Sequence, residues 1–331
     1  MEIYEEVELL KKLTSMMLDQ LEKNSEQTNL LLRGYGLMQA TVNNLKYELN
    51  DPEGYKQNFF YPQFRSNEET LRLIIEERKS LARFGDGEFN IAFHNSRHKF
   101  QRMDERLSER IRQVLNSEHP DLLIGIARNY GDLNIYSGMA ADGIRQYMTE
   151  KVRQEHSELL SADRIYSDAY ITRPYIMYKD MFTDAPKKRF DALKKIWKQK
   201  RIMIVEGAQT RLGVGNDLFV EAANIKRILA PATNSFDRYG DILEECVKYA
   251  DQVDLFVLAI GPSSGVLACD LTERGSQAVD VGHIDLEYEW FLAGKGVRVP
   301  VPYKYNNEVE GGEQVEDIKD ASYETSIIAA F

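Results

Sequence analysis

The sequence predicts an α/β protein built on a mainly parallel β-sheet. From about Asn67 onward, stretches with helical periodicity alternate with short β-rich runs, and this alternation places helices on the faces of a parallel sheet. The runs at 201–207 and 254–261 are apolar almost without interruption, as expected for strands covered on both faces. The runs that we predict as strands are SLARF (80–84), DLLIGIA (121–127), RIYSDAYIT (164–172), RIMIVEG (201–207), IKRILAP (225–231), DLFVLAIG (254–261) and QAVDVGH (277–283).

The length and composition are typical of a soluble globular protein. The chain has 331 residues, of which 43% are hydrophobic and 29% are charged. Its longest apolar runs are too short to cross a bilayer, and the N-terminal residues lack the pattern of a secretory signal. We therefore expect a cytoplasmic protein without a membrane span. The two cysteines, Cys246 and Cys269, offer neither a disulfide framework nor the spacing of a zinc site.

The first fifty residues follow a seven-residue repeat, which predicts a coiled-coil helix over 1–50 that forms a homo-oligomer. Asn24 and Thr28 place polar groups in the seam, where they can fix register. Gly34 and Gly36 disfavour a continuous helix, so the alternative is a helical hairpin without a partner chain. The two seams are Ile3, Leu10, Met17, Asn24, Leu31, Met38 and Leu45, and Val7, Thr14, Leu21, Thr28, Tyr35, Val42 and Leu49.

Three further parts follow the predicted coiled coil. The segment 51–66 begins with Asp-Pro-Glu-Gly, which ends the helix, and we interpret it as a linker. The α/β domain is predicted over 67–305. The tail, 306–331, contains seven acidic side chains and one lysine, so it carries much of the formal net charge of −11. We expect this tail to be a solvated loop, although its apolar end, 327–331, can dock on the domain. No basic patch supports nucleic-acid binding.

Ligands of parallel α/β sheets bind outside the carboxyl ends of the strands, so the segments after the predicted strands are the candidate sites. The first of these segments is RFGDGE (83–88). Asp86 and Glu88 lie two residues apart after Gly85 and can converge on Mg²⁺ or Mn²⁺, which take carboxylate and phosphate oxygens as ligands. Arg83 beside them suits a metal–diphosphate site, and the alternative is an ordinary Gly-Asp-Gly turn.

Two glycine-rich loops follow predicted buried strands, at 206–217 and 261–265. Glycines allow close backbone approach to a phosphate, and the N-terminus of a helix that we predict near Asn216 attracts its charge. The alternative for the first loop is a tight connection with Asn216 or Asp217 as a helix cap. Together the two loops favour a nucleotide-binding crevice. The candidate binding residues are Glu206, Gly207, Thr210, Arg211, Gly213, Gly215, Asn216, Gly261, Pro262 and Ser263, together with Asn234 after the IKRILAP run.

The segment HIDLEYEW (283–290) carries three acids, Asp285, Glu287 and Glu289. In a helix, Asp285 and Glu289 share a face, whereas all three share a face in an extended strand. One of them can serve as a general base or bind a sugar hydroxyl. The alternative is that they are acids of a helix N-terminus with a structural role.

The order of RFGDGE, RPYIMYKD, VEGAQTRLGVGNDLF, GPSSGVLACDL and VGHIDLEYEW resembles the bacterial glycosyltransferase family that defines the GT-D fold. The resemblance covers about Arg65 to Tyr305. It implies a Rossmann-like α/β domain that transfers a sugar, typically from UDP-glucose, to a glycan on a surface protein such as a serine-rich adhesin. It also implies a metal at Asp86 and Glu88, nucleotide and phosphate contacts at Arg83 and the two loops, and a base among Asp285, Glu287 and Glu289.

Sequence and resemblance together favour a metal-assisted glycosyltransferase that takes a hexose, with glucose first, from a UDP-sugar. The metal, Mn²⁺ or Mg²⁺, would neutralise the departing diphosphate. One alternative is a phosphohydrolase that uses the same acids and loops. Another is a scaffold whose α/β domain only binds a nucleotide sugar. A dehydrogenase is the least favoured alternative, because the dinucleotide fingerprint and its downstream acid are missing.

Overall fold

The computed structural model describes residues 2–48, 59–95 and 100–331, and within them nine strands form one parallel sheet. Its strand order is β1-β4-β3-β2-β8-β7-β5-β6-β9. The predicted α/β fold with a mainly parallel sheet is confirmed. The strands are β1 (Gln63–Phe64), β2 (Ser80–Phe84), β3 (Leu122–Ile126), β4 (Ile165–Asp168), β5 (Arg201–Gly207), β6 (Asn224–Ala230), β7 (Leu255–Ala259), β8 (Ala278–Asp280) and β9 (Ile327–Ala330).

Helices cover both faces of the sheet. In β7, Phe256 and Leu258 join the core on one face, whereas Leu255 and Val257 join the core on the other, as the two-residue period of a strand dictates. Burial on both faces explains the nearly unbroken apolar runs in the sequence. The helices are α1 (Glu2–Glu48), α2 (Asn67–Ile75), α3 (Asp86–Ala92), α4 (Glu105–Leu115), α5 (Gly138–Tyr147), α6 (Glu150–Leu159), α7 (Ala185–Lys194), α8 (Tyr239–Lys248), α9 (Ser263–Thr272), α10 (Ile284–Leu292) and α11 (Ala321–Ser326).

The strand order divides the sheet between β2 and β8. The strands β1 to β4 lie on one side of this division, and β5 to β9 lie on the other. Across it, β2 and β8 pair at a single position, Leu81 opposite Val279. Such a change in winding direction leaves a crevice at the carboxyl ends of the central strands, where α/β proteins bind their ligands.

The C-terminal part of the chain differs from the expected solvated loop. Residues 321–330 form α11 and β9, and β9 pairs with β6, where Arg227 lies opposite Ile327. The apolar end of the tail therefore docks as an edge strand. A strand of four residues that gains its stability from one neighbour has little local signal of its own. The same holds for β1, which has two residues.

The helix predicted near Asn216 is absent, which corrects the expected helix N-terminus at this loop. Residues 208–223 form successive turns instead. Arg211, Gly213 and Gly215 have positive φ angles of 51°, 72° and 81°, which interrupt right-handed helical geometry. A Cβ at Gly213 would also lie 2.5 Å from a ring carbon of Phe219, so this turn requires glycine.

The predicted N-terminal helix is confirmed, and it is continuous through Gly34 and Gly36, so the hairpin alternative is wrong. Its C-terminal end packs on α5. Asn44 is buried, and its amide donates to the Arg145 carbonyl at 3.0 Å. The Arg145 guanidinium in turn donates to both carboxylate oxygens of Glu48 at 2.8 Å. This junction joins α1 to the α/β domain.

Some sequence-based predictions fall outside the described residues. Leu49 and residues 51–58 of the predicted linker belong to this group, as do the side chains of Ile3, Val7 and Leu10. Among the helices that the structure describes, none combines the length and the apolar character needed to cross a membrane.

Candidate functional site

A cavity of about 530 Å³ lies at the carboxyl ends of the central strands. The segments that follow β2, β7 and β8 form its base, α5 forms one wall, and residues of 298–308 contribute to another. Its position is therefore the crevice that the division between β2 and β8 predicts. The candidate residues from the sequence that line it are Arg83, Gly85, Asp86, Glu88, Thr210, Gly261, Pro262 and Asp285.

Three carboxylates, those of Asp86, Glu88 and Asp280, line the base of the cavity. Asp86 begins α3 and is exposed to the cavity, whereas Glu88 turns back, so its Oε2 accepts a hydrogen bond from the Gly85 amide at 2.7 Å. Burial raises the pKa of Glu88, and the negative charges of Asp280 and Asp86 raise it further. Mutual repulsion of this kind is relieved by a bound cation. Carboxylate oxygens are the donor type that a hard divalent metal ion takes, but the oxygens of these three side chains do not all lie within 4.8 Å of one another, so they do not form a preassembled metal site.

Asp280 was not a candidate from the sequence, although it ends β8 at the cavity. Its Oδ1 accepts from Arg83 Nη2 at 2.9 Å and from the Gly282 amide at 3.0 Å. A Cβ at Gly282 would lie 2.0 Å from Arg83 Nη2, so the glycine leaves room for this pair. The glycine two residues after an acid at a strand end was the available signal in the sequence.

A basic cluster, consisting of Arg173, His283 and Arg298, surrounds Glu308 at the cavity. Arg173 contacts Glu308 through both terminal nitrogens, with Nη1 to Oε2 at 3.1 Å. His283 Nδ1 lies 3.1 Å and Arg298 Nε 3.3 Å from oxygens of Glu308. Burial alone would raise the pKa of Glu308, but Arg173 and His283 hold it well below its usual value. Sequence reasoning missed Glu308 because it placed residue 308 in a solvated tail.

Glu206 lies at the end of β5 but does not line the cavity. It is fully buried and forms an ion pair with Arg227, with Nη1 to Oε1 at 2.5 Å. Its other oxygen accepts from the Leu212 amide at 2.6 Å. These contacts occupy both carboxylate oxygens, so Glu206 fixes the turn after β5 instead of facing a ligand.

The three acids of α10 have different surroundings. Asp285 lines the cavity, and its oxygens accept from Asn216 at 2.8 Å and from Lys304 at 2.5 Å. Glu289 binds the same Asn216 amide at 2.7 Å, so these two acids share a face, as a helix requires. Glu287 faces elsewhere and accepts the backbone amides of residues 175 and 176 at 3.1 and 2.9 Å.

Contacts within the protein hold three further candidates, which are Arg211 and Ser263 of the two loops and Asn234 after β6. Arg211 donates to the carbonyls of residues 303 and 316 at 2.9 and 2.7 Å. Ser263 is fully buried and accepts from Ser235 at 3.1 Å, and Asn234 accepts the amide of residue 102 at 2.7 Å. None of these three lines the cavity. The candidates that lie outside the cavity lining are Glu206, Gly207, Arg211, Gly213, Gly215, Asn216, Asn234, Ser263, Glu287 and Glu289.

Among the described residues, the group of three potential metal ligands whose donor atoms lie within 4.8 Å of one another consists of Cys269, Asp270 and Glu273, and it lies away from the cavity lining. Asp270 already accepts from Arg110 Nη2 and from the Tyr239 hydroxyl, both at 2.5 Å. Burial raises the pKa of the Cys269 thiol to about 12, and the neutral thiol is a poor metal ligand. We therefore assign no metal to this group.

A buried histidine supports the wall of the cavity. His156 Nε2 lies 3.1 Å from the hydroxyl of Tyr147, which lines the cavity, and Nδ1 lies 2.5 Å from the hydroxyl of Tyr130. The imidazole also stacks on Phe89 of α3, with ring centroids 4.0 Å apart. Burial and then the positive charge of Arg153 lower its pKa from 6.5 to about 3. His156 is therefore neutral at pH 7.

The neutral His156 predicts a pH dependence of stability. Since the unfolded chain binds this proton near pH 6.5 and the folded protein binds it near 3, the stability is present above pH 6.5 and is lost as the pH falls. We expect a loss of about 1.4 kcal/mol per pH unit from this group inside that window. Urea unfolding at several pH values between about 4 and 6.5 measures this change in the free energy of unfolding.

The matched variant is His156→Gln, whose free energy of unfolding should fall less steeply with acidification. The comparison is needed because Asp168, whose pKa burial raises from 3.8 to about 6, acts in the opposite direction. Its raised pKa gives stability that is lost as the pH rises from about 4 to about 6. Equal pH slopes in the two proteins would contradict the assignment of a neutral, buried His156.

The family model described as the glycosyltransferase GT-D fold matches residues 81–309, which include the whole base of the cavity. The chain belongs to the GT-D glycosyltransferase family. The resemblance drawn from the motifs is therefore confirmed. The matched region begins after α1, so the N-terminal helix lies outside the part that the family shares.

Two curated relatives and a solved structure resemble this GT-D glycosyltransferase. It is 37% identical over 268 residues to glycosyltransferase GlyD of Streptococcus pneumoniae. These residues make up 81% of this chain and 32% of GlyD. The chain is 33% identical over 265 residues to the probable glycosyl transferase Gly of Streptococcus gordonii. These residues make up 80% of this chain and 38% of Gly. The chain thus spans well under half the length of either protein.

The structure of a new glycosyltransferase (DUF1792) from Streptococcus sanguinis is also similar. It superposes with a TM-score of 0.77 at 32% identity, and the match covers 82% of this chain and 99% of that one. This GT-D glycosyltransferase therefore shares its fold as well as its sequence motifs with the family.

Proposed function

We propose that this GT-D glycosyltransferase transfers a hexose, with glucose as the first candidate, from a UDP-sugar to a glycan or glycoprotein, assisted by Mn²⁺ or Mg²⁺. The observation that carries the proposal is the charge distribution of the cavity. The carboxylates of Asp86, Glu88 and Asp280 lie at its base, and Arg173 and Arg298 lie beside them. A cation held by the acids and a diphosphate bound by the arginines would use both groups.

The residues of the cavity have distinct roles in this proposal. Asp86 and Glu88 would hold the metal ion, which supplies charge neutralisation for the departing diphosphate. Asp285 is the preferred base, because it is the one of the three acids of α10 that lines the cavity. Tyr147 and Tyr170 line the other side, where aromatic rings suit the apolar face of a sugar.

The experiment is a donor screen with the purified protein. We expect turnover of a UDP-hexose that depends on Mn²⁺ or Mg²⁺ and on a glycan acceptor, and that EDTA abolishes. Release of free sugar and phosphate at the same rate with or without the acceptor would indicate a phosphohydrolase. Tight donor binding with no turnover on any glycan would indicate a scaffold. Either result would overturn the proposal.

We further propose that α1 forms a coiled coil with a second copy of the chain. Seven apolar seam side chains are between 46% and 75% exposed, while a different face of the helix, at Asn44 and Tyr47, packs on the domain. A helix with the same seven-residue repeat can bury such an apolar seam. Asn24 in both copies would fix the register of the two helices. The seven residues are Met17, Leu21, Leu31, Tyr35, Met38, Val42 and Leu45.

Leu31→Lys should disrupt this association, because it places a charge in the apolar seam. We expect the dissociation constant to rise by on the order of a hundredfold. The matched control is Leu30→Lys, since Leu30 is 66% exposed but lies outside the seam. Light scattering after gel filtration gives the mass of each variant. A monomeric parent protein, or equal masses for Leu31→Lys and the parent, would contradict the coiled coil.

A further inference from the structure

The arginine side chains among the described residues of the cavity lining are all in contact with carboxylates. Arg83 donates to Asp280, and the basic cluster of Arg173, His283 and Arg298 surrounds Glu308. A carboxylate and a phosphate present similar oxygen pairs to a guanidinium. Any ligand that uses the basic cluster for its phosphates must therefore compete with Glu308.

The two carboxylates differ in how they are anchored. Asp280 belongs to β8 in the centre of the sheet, whereas Glu308 belongs to a loop. Hydrogen bonds within this loop hold its two ends together. The backbone amide of Asn306 donates to the Gly312 carbonyl at 2.8 Å, and the backbone amide of Glu308 donates to Asn306 Oδ1 at 2.9 Å. Glu308 can thus leave the basic cluster by a loop movement that breaks no strand pairing.

We propose that Glu308 occupies the diphosphate position of the donor site in the free enzyme and that the donor displaces it. The inference rests on the proposed function, because it assumes that a nucleoside diphosphate sugar enters this cavity. Glu308 is then an autoinhibitory residue. The apparent affinity for a donor is reduced by the fraction of molecules in which the basic cluster is free. A ligand without phosphates gains nothing from displacing Glu308.

The test measures binding of Mn²⁺ with pyrophosphate, of UDP and of uridine by calorimetry. We expect Glu308→Gln to lower the dissociation constants of pyrophosphate and UDP by about tenfold and to leave that of uridine unchanged. In donor turnover, the KM for the UDP-sugar should fall by a similar factor. The matched control is Glu310→Gln, two residues away and exposed, which should bind all three ligands as the parent protein does.

The outcomes separate this inference from the proposed function. If the parent protein binds UDP but Glu308→Gln binds it equally or more weakly, Glu308 supports Arg173 and the inference is wrong. If neither protein binds UDP or pyrophosphate, the proposed function fails and the inference fails with it. The thermal unfolding midpoint checks that Glu308→Gln is folded. Glu308→Asp keeps the charge but has a shorter side chain, so it should also lower the dissociation constant of UDP.

Discussion

Asp86→Asn is expected to lower kcat/KM for sugar transfer by about a thousandfold or more, because it removes a charged ligand from the proposed metal site. Asp86 is exposed to the cavity at the N-terminus of α3, so the substitution leaves the packing of the core unchanged. Initial rates over a Mn²⁺ titration measure the effect. If Asp86 binds the metal, saturating Mn²⁺ should restore part of the activity.

The matched control is Asp163→Asn, since Asp163 is also exposed but lies outside the cavity lining. Its turnover and its Mn²⁺ dependence should equal those of the parent protein. Glu88→Gln tests the second proposed ligand in the same assay. Full activity in both Asp86→Asn and Glu88→Gln would remove the metal from the proposed mechanism.

Arg227→Met is expected to lower the free energy of unfolding by about 3 to 5 kcal/mol, because it leaves the charge of Glu206 buried without its partner. Both side chains are almost fully buried, with 6% and 0% of their side-chain surface exposed. Urea unfolding of the parent protein and the variant measures the loss. A loss below about 1 kcal/mol would contradict the structural role of the pair.

The double variant Glu206→Gln with Arg227→Met provides the control for this prediction. The new amide side chain would still accept the Leu212 amide but would carry no buried charge, so most of the lost stability should return. The experiment also decides between two roles of Glu206. A residue that contacts the donor would change donor affinity in the single variant Glu206→Gln, whereas a structural residue would change mainly the stability.

The seven predicted strands could be derived from the sequence because each is buried by the sheet it belongs to. Apolar side chains on both faces leave a clear signal in the strands of five to seven residues, which are β2, β3, β5, β6 and β7. The shorter strands β4 and β8, of four and three residues, were predicted from longer β-rich runs around them. The strands β1 and β9 lack that signal, since they lie at the two edges and depend on one neighbour each. The turns after β5 were mistaken for a helix start because the positive φ angles of Gly213 and Gly215 are not visible in composition.

The candidate site was predictable where its residues lie close together in the sequence. Asp86 and Glu88 stand in one short segment after a strand, so both were candidates. Glu308 and Arg173 are 135 residues apart, and nothing near either residue predicts their contact. Glu206 shows the opposite case, because a polar residue at a strand end was interpreted as a ligand contact. Its partner Arg227 lies in the adjacent strand, which no local pattern reveals.

The two halves of the sheet are joined by a narrow junction between β2 and β8, to which Arg83 contributes. Backbone pairing joins the two halves of the sheet there at one residue pair, and the Arg83 side chain adds two hydrogen bonds to Asp280, one to its carbonyl at 2.8 Å and one to its carboxylate. Arg83 thus connects two separately wound halves. We expect a variant at this position to weaken this junction even without a ligand, so weaker binding by such a variant must be compared with its free energy of unfolding.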